Sequence, residues 1–537
     1  MPPSTPTPVV DIKPTAAQAS RFLAQASFGA DSASIGDVVN GGTGNWIERQ
    51  FLKPQTLHRD YLTKTAATLT NGARLGQNNV FETFWKQAAT GEDQLRQRVT
   101  FALSQIFVVS LQDAFLSDHP VMVAGYYDTL AANAFGNFRS LLEAVSLHPA
   151  MGVYLTSLHN QKEDATRTPD ENYAREVMQL MSIGLLELNP DGSQKKANGA
   201  PIETYTSADI TGLAKVFTGW SWAGADKSNA RFAGNGTQDP DRDWKPMQSY
   251  PQFHSTSEKS FLGVTVPAQS TANPEASLKV ALDRLFNHPN VGPFIGKQLI
   301  QRLVVSNPSP AYVARVSAAF ANDGQGVRGD MKAVIRAILL DPEAGSATRL
   351  SAIDNGKLRE PILRLAGWMR AFGVTSASGR FLMTNLDDPI SSLGQSPLRS
   401  PSVFNFYRPG YVPPNTAIAS AGLVAPEMQL VGNTSVVGYL NTMRDIVPNG
   451  AGANRDVTSS YVTEIALANT PDKLIDRVDL LLLAGQMTPM LRTQILAALN
   501  SVAISATDTV AADRARKNRV WLSVFLTLAS TEYLVQK

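Results

Sequence analysis

From about residue 15 onward, apolar residues recur at intervals of three and four, the spacing of one face of a helix. The stretches "AAQASRFLAQASFG", "IGDVVNGGTGNWIERQFL", "NVFETFWKQAATGEDQLRQRVTFALSQIFVVSL" and "VMVAGYYDTLAANAFGNFRSLLEAVSL" all carry it and read as helical. The pattern resumes in "NPEASLKVALDRLFNHPNVGPFIGKQLIQRLVV", "AYVARVSAAFAND", "DMKAVIRAILLDPEA" and "KLREPILRLAGWMRAFG", and the chain closes on the helical "NRVWLSVFLTLASTEYLVQK". Strand-like alternation is scarce. Two segments break the helical period. Residues 189–265 shift to Gly, Asn, Asp, Pro and Trp, although seven aromatic residues from Trp220 to Phe261 argue that this excursion is ordered. Residues 393–417, "LGQSPLRSPSVFNFYRPGYVPPNTA", form a loop stiffened by prolines.

The expected fold is mainly α: a large multi-helical body with two long ordered loops and few or no β-strands. Its parts are a disordered Pro/Ser/Thr-rich start (1–15), an N-terminal helical part (16–188), the aromatic-rich excursion (189–265), a central helical part (266–392), the Pro-rich loop (393–417) and a C-terminal helical part (418–537). Together they are expected to form one compact unit. No period of 20 to 50 residues supports a solenoid.

One predicted helix, "PDENYAREVMQLMSIGLLELN" at 169–189, carries polar residues where a core stripe would be expected. At about 100° per residue, Asn172, Arg175, Glu176 and Gln179 fall within a wedge of about 100°, while most of the remaining circumference is apolar or small. The reading is an enclosed helix with a narrow polar stripe. Asp170 is the expected N-cap, and Glu171 suits the positive end of the helix dipole.

Composition excludes several classes of function. The 537 residues are 43% hydrophobic and 18% charged, with a net charge of +2, which leaves no broad basic surface for nucleic acid. The absence of cysteine removes disulfides, thiolate nucleophiles and cysteine metal sites. No apolar run reaches the length of a transmembrane helix, and the start lacks the pattern of a signal peptide. G-x-S-x-G, H-E-x-x-H, G-x-x-x-x-G-K-[ST] and G-x-G-x-x-G are all absent. "DPDRDW" has Trp244 where a calcium loop needs Gly and Tyr250 where it needs Glu, so it reads as a polar turn. No metal site is predicted, and the sequence names no cofactor.

Candidate chemistry is therefore drawn from a few side chains. Glu176 is a candidate general acid or base, with Arg175 and Asn172 as clamps for a substrate carboxylate, hydroxyl or phosphate. His119, His148 and His288 each precede proline, where an imidazole caps a helix end; His148 also leads through Tyr154 toward the polar helix. His254, five residues before Lys259, is the one histidine in the excursion. Trp220 is a candidate sugar-stacking platform. Gln395 and Asn405, with Arg399, Tyr407 and Arg408, give the second loop the composition of a binding wall or of a lid over helix ends.

"PDENYAREVMQLMSIGLLELN" followed by "YTSADITGLAKVFTGW" resembles the central signature of the bacterial "domain of unknown function 1800" family, whose members commonly read N-E-N-[FY]-A-R-E-L-[ML]-E-L-F-T-L-G and then A-x-x-[FL]-T-G-W. "NAFGNFRSLLEAVSLHPAMGVYL", "FHSTSEKSFLG", "LGQSPLRSPSVFNFYRPGY" and "LTLASTEYL" agree with it. The resemblance covers nearly the whole chain from about residue 18. It implies an exported protein, periplasmic or secreted, often encoded beside sulfatase-like proteins. The chain departs from the pattern at Asp170, where Asn is common, at Gln179, where Glu is common, and at Ser255, where Asp often follows the His. Two functions are carried forward. One is an enzyme cleaving a polysaccharide by hydrolysis or elimination through Glu176 with His148 or His254; the other is a non-catalytic protein binding a sulfatase-like partner or a surface polymer.

Overall fold

The computed structural model describes residues 13–537. Of the stretch expected to be a disordered start, residues 1–12 lie outside the described residues. Thr15 opens the first helix, Ala16–Ala26, through a reciprocal cap in which its hydroxyl accepts from the Gln18 N–H while Gln18 Oε1 accepts from the Thr15 N–H at 2.8 Å.

Helices make up most of the body, as the three-and-four spacing predicts. The helix Pro120–Asn133 is apolar or small at nearly every position, with Pro at its first turn, and a helix of that kind belongs in the interior. It packs against His58–Ala66, Gln77–Thr90, Gln94–Ser104, Phe138–Ser146 and Pro149–Tyr154. A second buried helix, Val291–Leu303, lies against Pro310–Ala321 and Gln94–Ser104. Pro361–Ala371 packs on Gln77–Thr90, and the C-terminal helices gather around Thr509–Ala529. No helix among the described residues is long and apolar enough to cross a membrane.

Among the described residues, strands form short two-stranded antiparallel ribbons. Three of them lie in or at the edge of the 189–265 excursion: Lys196–Ala197 with Ala200–Pro201, Trp220–Ser221 with Gln248–Ser249, and Lys259–Phe261 with Val264–Val266. Together with the helix Ser207–Val216 they give that segment more regular structure than its composition suggests. A fourth ribbon joins Lys357–Leu358 to Val535–Gln536 at the end of the chain. There Gln536 Nε2 donates to the Leu303 carbonyl at 2.9 Å, and Arg21 Nε donates to the Lys537 carbonyl at 3.0 Å.

Several of the helical stretches divide into two helices, and one helix is much shorter than its period suggests. "IGDVVNGGTGNWIERQFL" forms two helices, Ser32–Gly41 and Thr43–Leu52, because Gly42 takes φ +85° between them. The polar-striped helix spans only Asn172–Gln179 and not the whole of 169–189. After it, the chain turns through Ser182, whose hydroxyl donates to the Val177 carbonyl, and Gly184 at φ +72°.

Candidate functional site

Asp170 does serve the start of the polar helix: its Oδ1 accepts the Asn172 N–H at 2.8 Å, although Glu171 occupies the cap position itself. The stripe then divides. Asn172 and Arg175 are exposed, with Arg175 3.4 Å from Glu171 and Asn172 Nδ2 3.4 Å from the Thr156 hydroxyl. Glu176 is buried, and its Oε2 has no hydrogen-bond partner. Burial pushes its carboxyl above the usual range, and the nearby Arg175 offsets part of that. Gln179 is half-buried and accepts from the Tyr205 hydroxyl at 3.2 Å. Burial, then the Glu176 charge, raises that tyrosine to about 12.

The histidines lie elsewhere, His148, His254 and His288 inside the fold and His119 half-buried at a helix end. His148 caps the helix Pro149–Tyr154, its Nδ1 accepting the Ala150 N–H at 3.1 Å while its ring meets Tyr126 edge-on. It thus serves a helix start and not the carbonyl end expected from the His-Pro pattern. Burial lowers it to about 3. His254 is fully buried, with Nδ1 2.8 Å from the Thr218 carbonyl and Nε2 3.1 Å from the Ser277 hydroxyl, and burial lowers it to about 4. His288 also meets an N–H, that of Asn290, whereas His119 Nδ1 meets the Phe115 carbonyl as a C-terminal cap should.

The other sequence candidates scatter. Trp220 is buried in a ribbon, which leaves no face for a sugar to stack on. Lys259 is fully buried and donates to the Ser257 carbonyl at 3.2 Å. Tyr154 is half-buried and pushed up to about 12 by burial and then by Asp113. Gln395 and Asn405 are brought together as buried walls of one small internal cavity, next to Phe101 and Ser396.

The segments singled out in the sequence do meet at one place. A cleft of about 450 Å³ is formed by the end of the polar helix and the turn after it (Gln179 to Leu188), the buried helix Val291–Leu303, and the Pro-rich loop through Val403, Phe404 and Arg408. Its walls are largely aliphatic. The polar groups on it are amides and two arginines, Arg302 and Arg408; no Asp, Glu, His, Lys, Ser, Thr or Tyr lines it among the described residues.

Below the cleft lies a buried ionic cluster. Gln105 and Gln395 each donate to Glu360 Oε2 at 2.6 Å, and Gln395 Oε1 accepts the Ile362 N–H at the start of the following helix. Arg302 donates to the Gln105 carbonyl at 2.9 Å, while Arg98 at 2.5 Å and Lys357 at 2.8 Å both donate to the Arg302 carbonyl. Lys357 pairs with Glu427 at 3.2 Å. Burial pulls Arg98, Arg302 and Lys357 down and pushes Glu427 up. Three cations face two carboxylates, so the excess is positive. Arg302 Nε and Gln298 Nε2 are buried without partners, and both residues line the cleft.

Sequence reasoning missed this cluster, although a signal exists. Arg98 falls at helical spacing from Leu95 and Ala102, and Arg302 from Ile295 and Leu299. A charge in a core phase must find partners in the interior. Among the described residues, no group of three or more His, Asp or Glu side chains is arranged to hold a metal ion. The three aspartates of "DPDRDW" instead pair separately, Asp239 with Arg231, Asp241 with Lys245 and Asp243 with Arg242.

The protein is a mainly α-helical one with short two-stranded ribbons among its described residues. The family model described as "Protein of unknown function (DUF1800)" matches residues 21–535, and the chain belongs to that family. No curated protein and no solved structure matches it.

Proposed function

We propose that this chain is a binding protein whose ligand enters the cleft between the polar helix, the helix Val291–Leu303 and the Pro-rich loop. The observation that carries this reading is the lining itself, which has apolar walls, amides and two arginines but no side chain that exchanges a proton near neutrality. Hydrolysis or elimination at a sugar requires an acid and a base flanking the bond. An apolar cleft with a few polar groups serves recognition without either. Export and a sulfatase-like partner, implied by the family resemblance, are compatible with this reading and are not used by it.

Leu185 is 56% exposed at the cleft, so Leu185→Asp should leave the fold intact while placing a charge on the apolar wall. Titration with the neutral apolar dye Nile red should show one saturable site in the wild type, weakened at least tenfold in the variant. Equal dye affinity in a variant with unchanged circular dichroism would overturn the reading.

A further inference from the structure

We infer that the ligand of this cleft is a single-chain amphipathic anion: an alkyl chain ending in a carboxylate or another singly charged acidic head. This rests on the binding reading above and adds the charge and shape of the occupant.

Four observations carry it. The two charged residues of the lining are both arginines, and no carboxylate accompanies them. Arg408 at the rim makes no ion pair among the described residues; its guanidinium lies 4.8 Å over the Phe404 ring, a contact that leaves its N–H edge open to an anion. Deeper in, Arg302 retains Nε, and Gln298 retains Nε2, as buried donors without partners. The cluster beneath sets three cationic side chains against two carboxylates, a formal excess that favours a negative head in the cleft.

The walls decide the rest of the ligand. Ile106, Leu180, Leu186, Leu188 and Val403 are aliphatic and gain most from covering methylene groups. A polyhydroxylated chain would lose hydrogen bonds to water there with few partners in return. At about 450 Å³ the space lies toward the small end of small-molecule sites, which suits one chain with its head better than a two-chain lipid.

The test is displacement of Nile red from the full chain by dodecanoate and by dodecyltrimethylammonium, both kept below their micellar concentrations. Dodecanoate should displace the dye at one equivalent, at least tenfold more tightly than the ammonium. Arg408→Glu changes an exposed side chain and should reverse or erase that preference, read as the ratio of the two amphiphiles' displacement constants within the same variant. Arg302→Gln, checked for folding by circular dichroism, should weaken dodecanoate in the same direction. Equal displacement by both amphiphiles, or an unchanged preference in Arg408→Glu, overturns the anionic ligand while leaving the binding cleft in place. Dye affinity unaffected by Leu185→Asp removes the binding reading, and this inference with it.

Discussion

Glu176 carries an ionisable group that folding makes harder to ionise, because its carboxylate leaves water with one oxygen unpartnered. Its folded pKa lies above the unfolded one, so its favourable contribution is full at low pH. That contribution is lost as pH rises above the unfolded value, about 4.3, and through the folded one. Glu176→Gln mimics the protonated carboxyl. It should therefore gain stability relative to the wild type on going from pH 4 to pH 8, read as a widening gap between guanidinium midpoints; a constant gap would contradict the assignment. At this scale the sequence reveals residue types better than their fates. The period of the helix groups Asn172, Arg175, Glu176 and Gln179 on one stripe, but only the neighbours packed on it expose the first two, bury the third and bring the last to the cleft. Trp220 and His254 look available because their segment is polar, yet both are enclosed by contacts that no local pattern encodes.

The polar helix and the turn after it show how much a single backbone position governs. The period continues to residue 189, but the helix stops at Gln179, and Leu185, which the helical wheel places on the inner side, becomes exposed. Gly184 permits the turn, at φ +72°, and a methyl group there would lie 2.6 Å from the Phe294 ring. Gly184→Ala should cost about 1–3 kcal/mol, from the left-handed backbone and from pushing Phe294 toward the cleft. Gly36, inside the helix Ser32–Gly41 with open space around it, is the contrast: Gly36→Ala should stabilise by roughly 0.5–1 kcal/mol. Thermal melts of the two variants check both signs. Most helices were legible because their apolar stripes are long, while the two- and three-residue ribbons are too short to display an alternating pattern.

For the molecule as a whole, acid is the expected weak point. Burial lowers His148 to about 3, and His254 and His288 to about 4, so all three stay neutral in the fold while their unfolded counterparts charge below about 6.5. The stability they contribute is present above that value and is lost as pH falls toward the folded pKa values. The slope is on the order of 1 kcal/mol per pH unit for each histidine. Urea midpoints should fall steeply between pH 7 and pH 5, and His254→Gln should flatten that slope even if it lowers stability throughout. A slope unchanged in the variant would show that His254 is not held neutral.

The ionic cluster also bears on how such a chain can evolve. Arg98, Arg302, Lys357, Glu360 and Glu427 come from three of the segments read along the sequence, and Gln395 of the Pro-rich loop adds a fourth: Arg98 and Lys357 meet the Arg302 carbonyl, Lys357 pairs with Glu427, and Gln395 holds Glu360. Exchanging one segment for that of a distant relative would strand charges that the missing piece neutralised, a penalty of several kcal/mol per ion. Shuffling by recombination should therefore be tolerated poorly at the cluster and well at the cleft rim, where Leu185, Phe404 and Arg408 can vary without disturbing any buried partner. Descendants of such a chain would diversify in what they bind long before they diversify in how they fold.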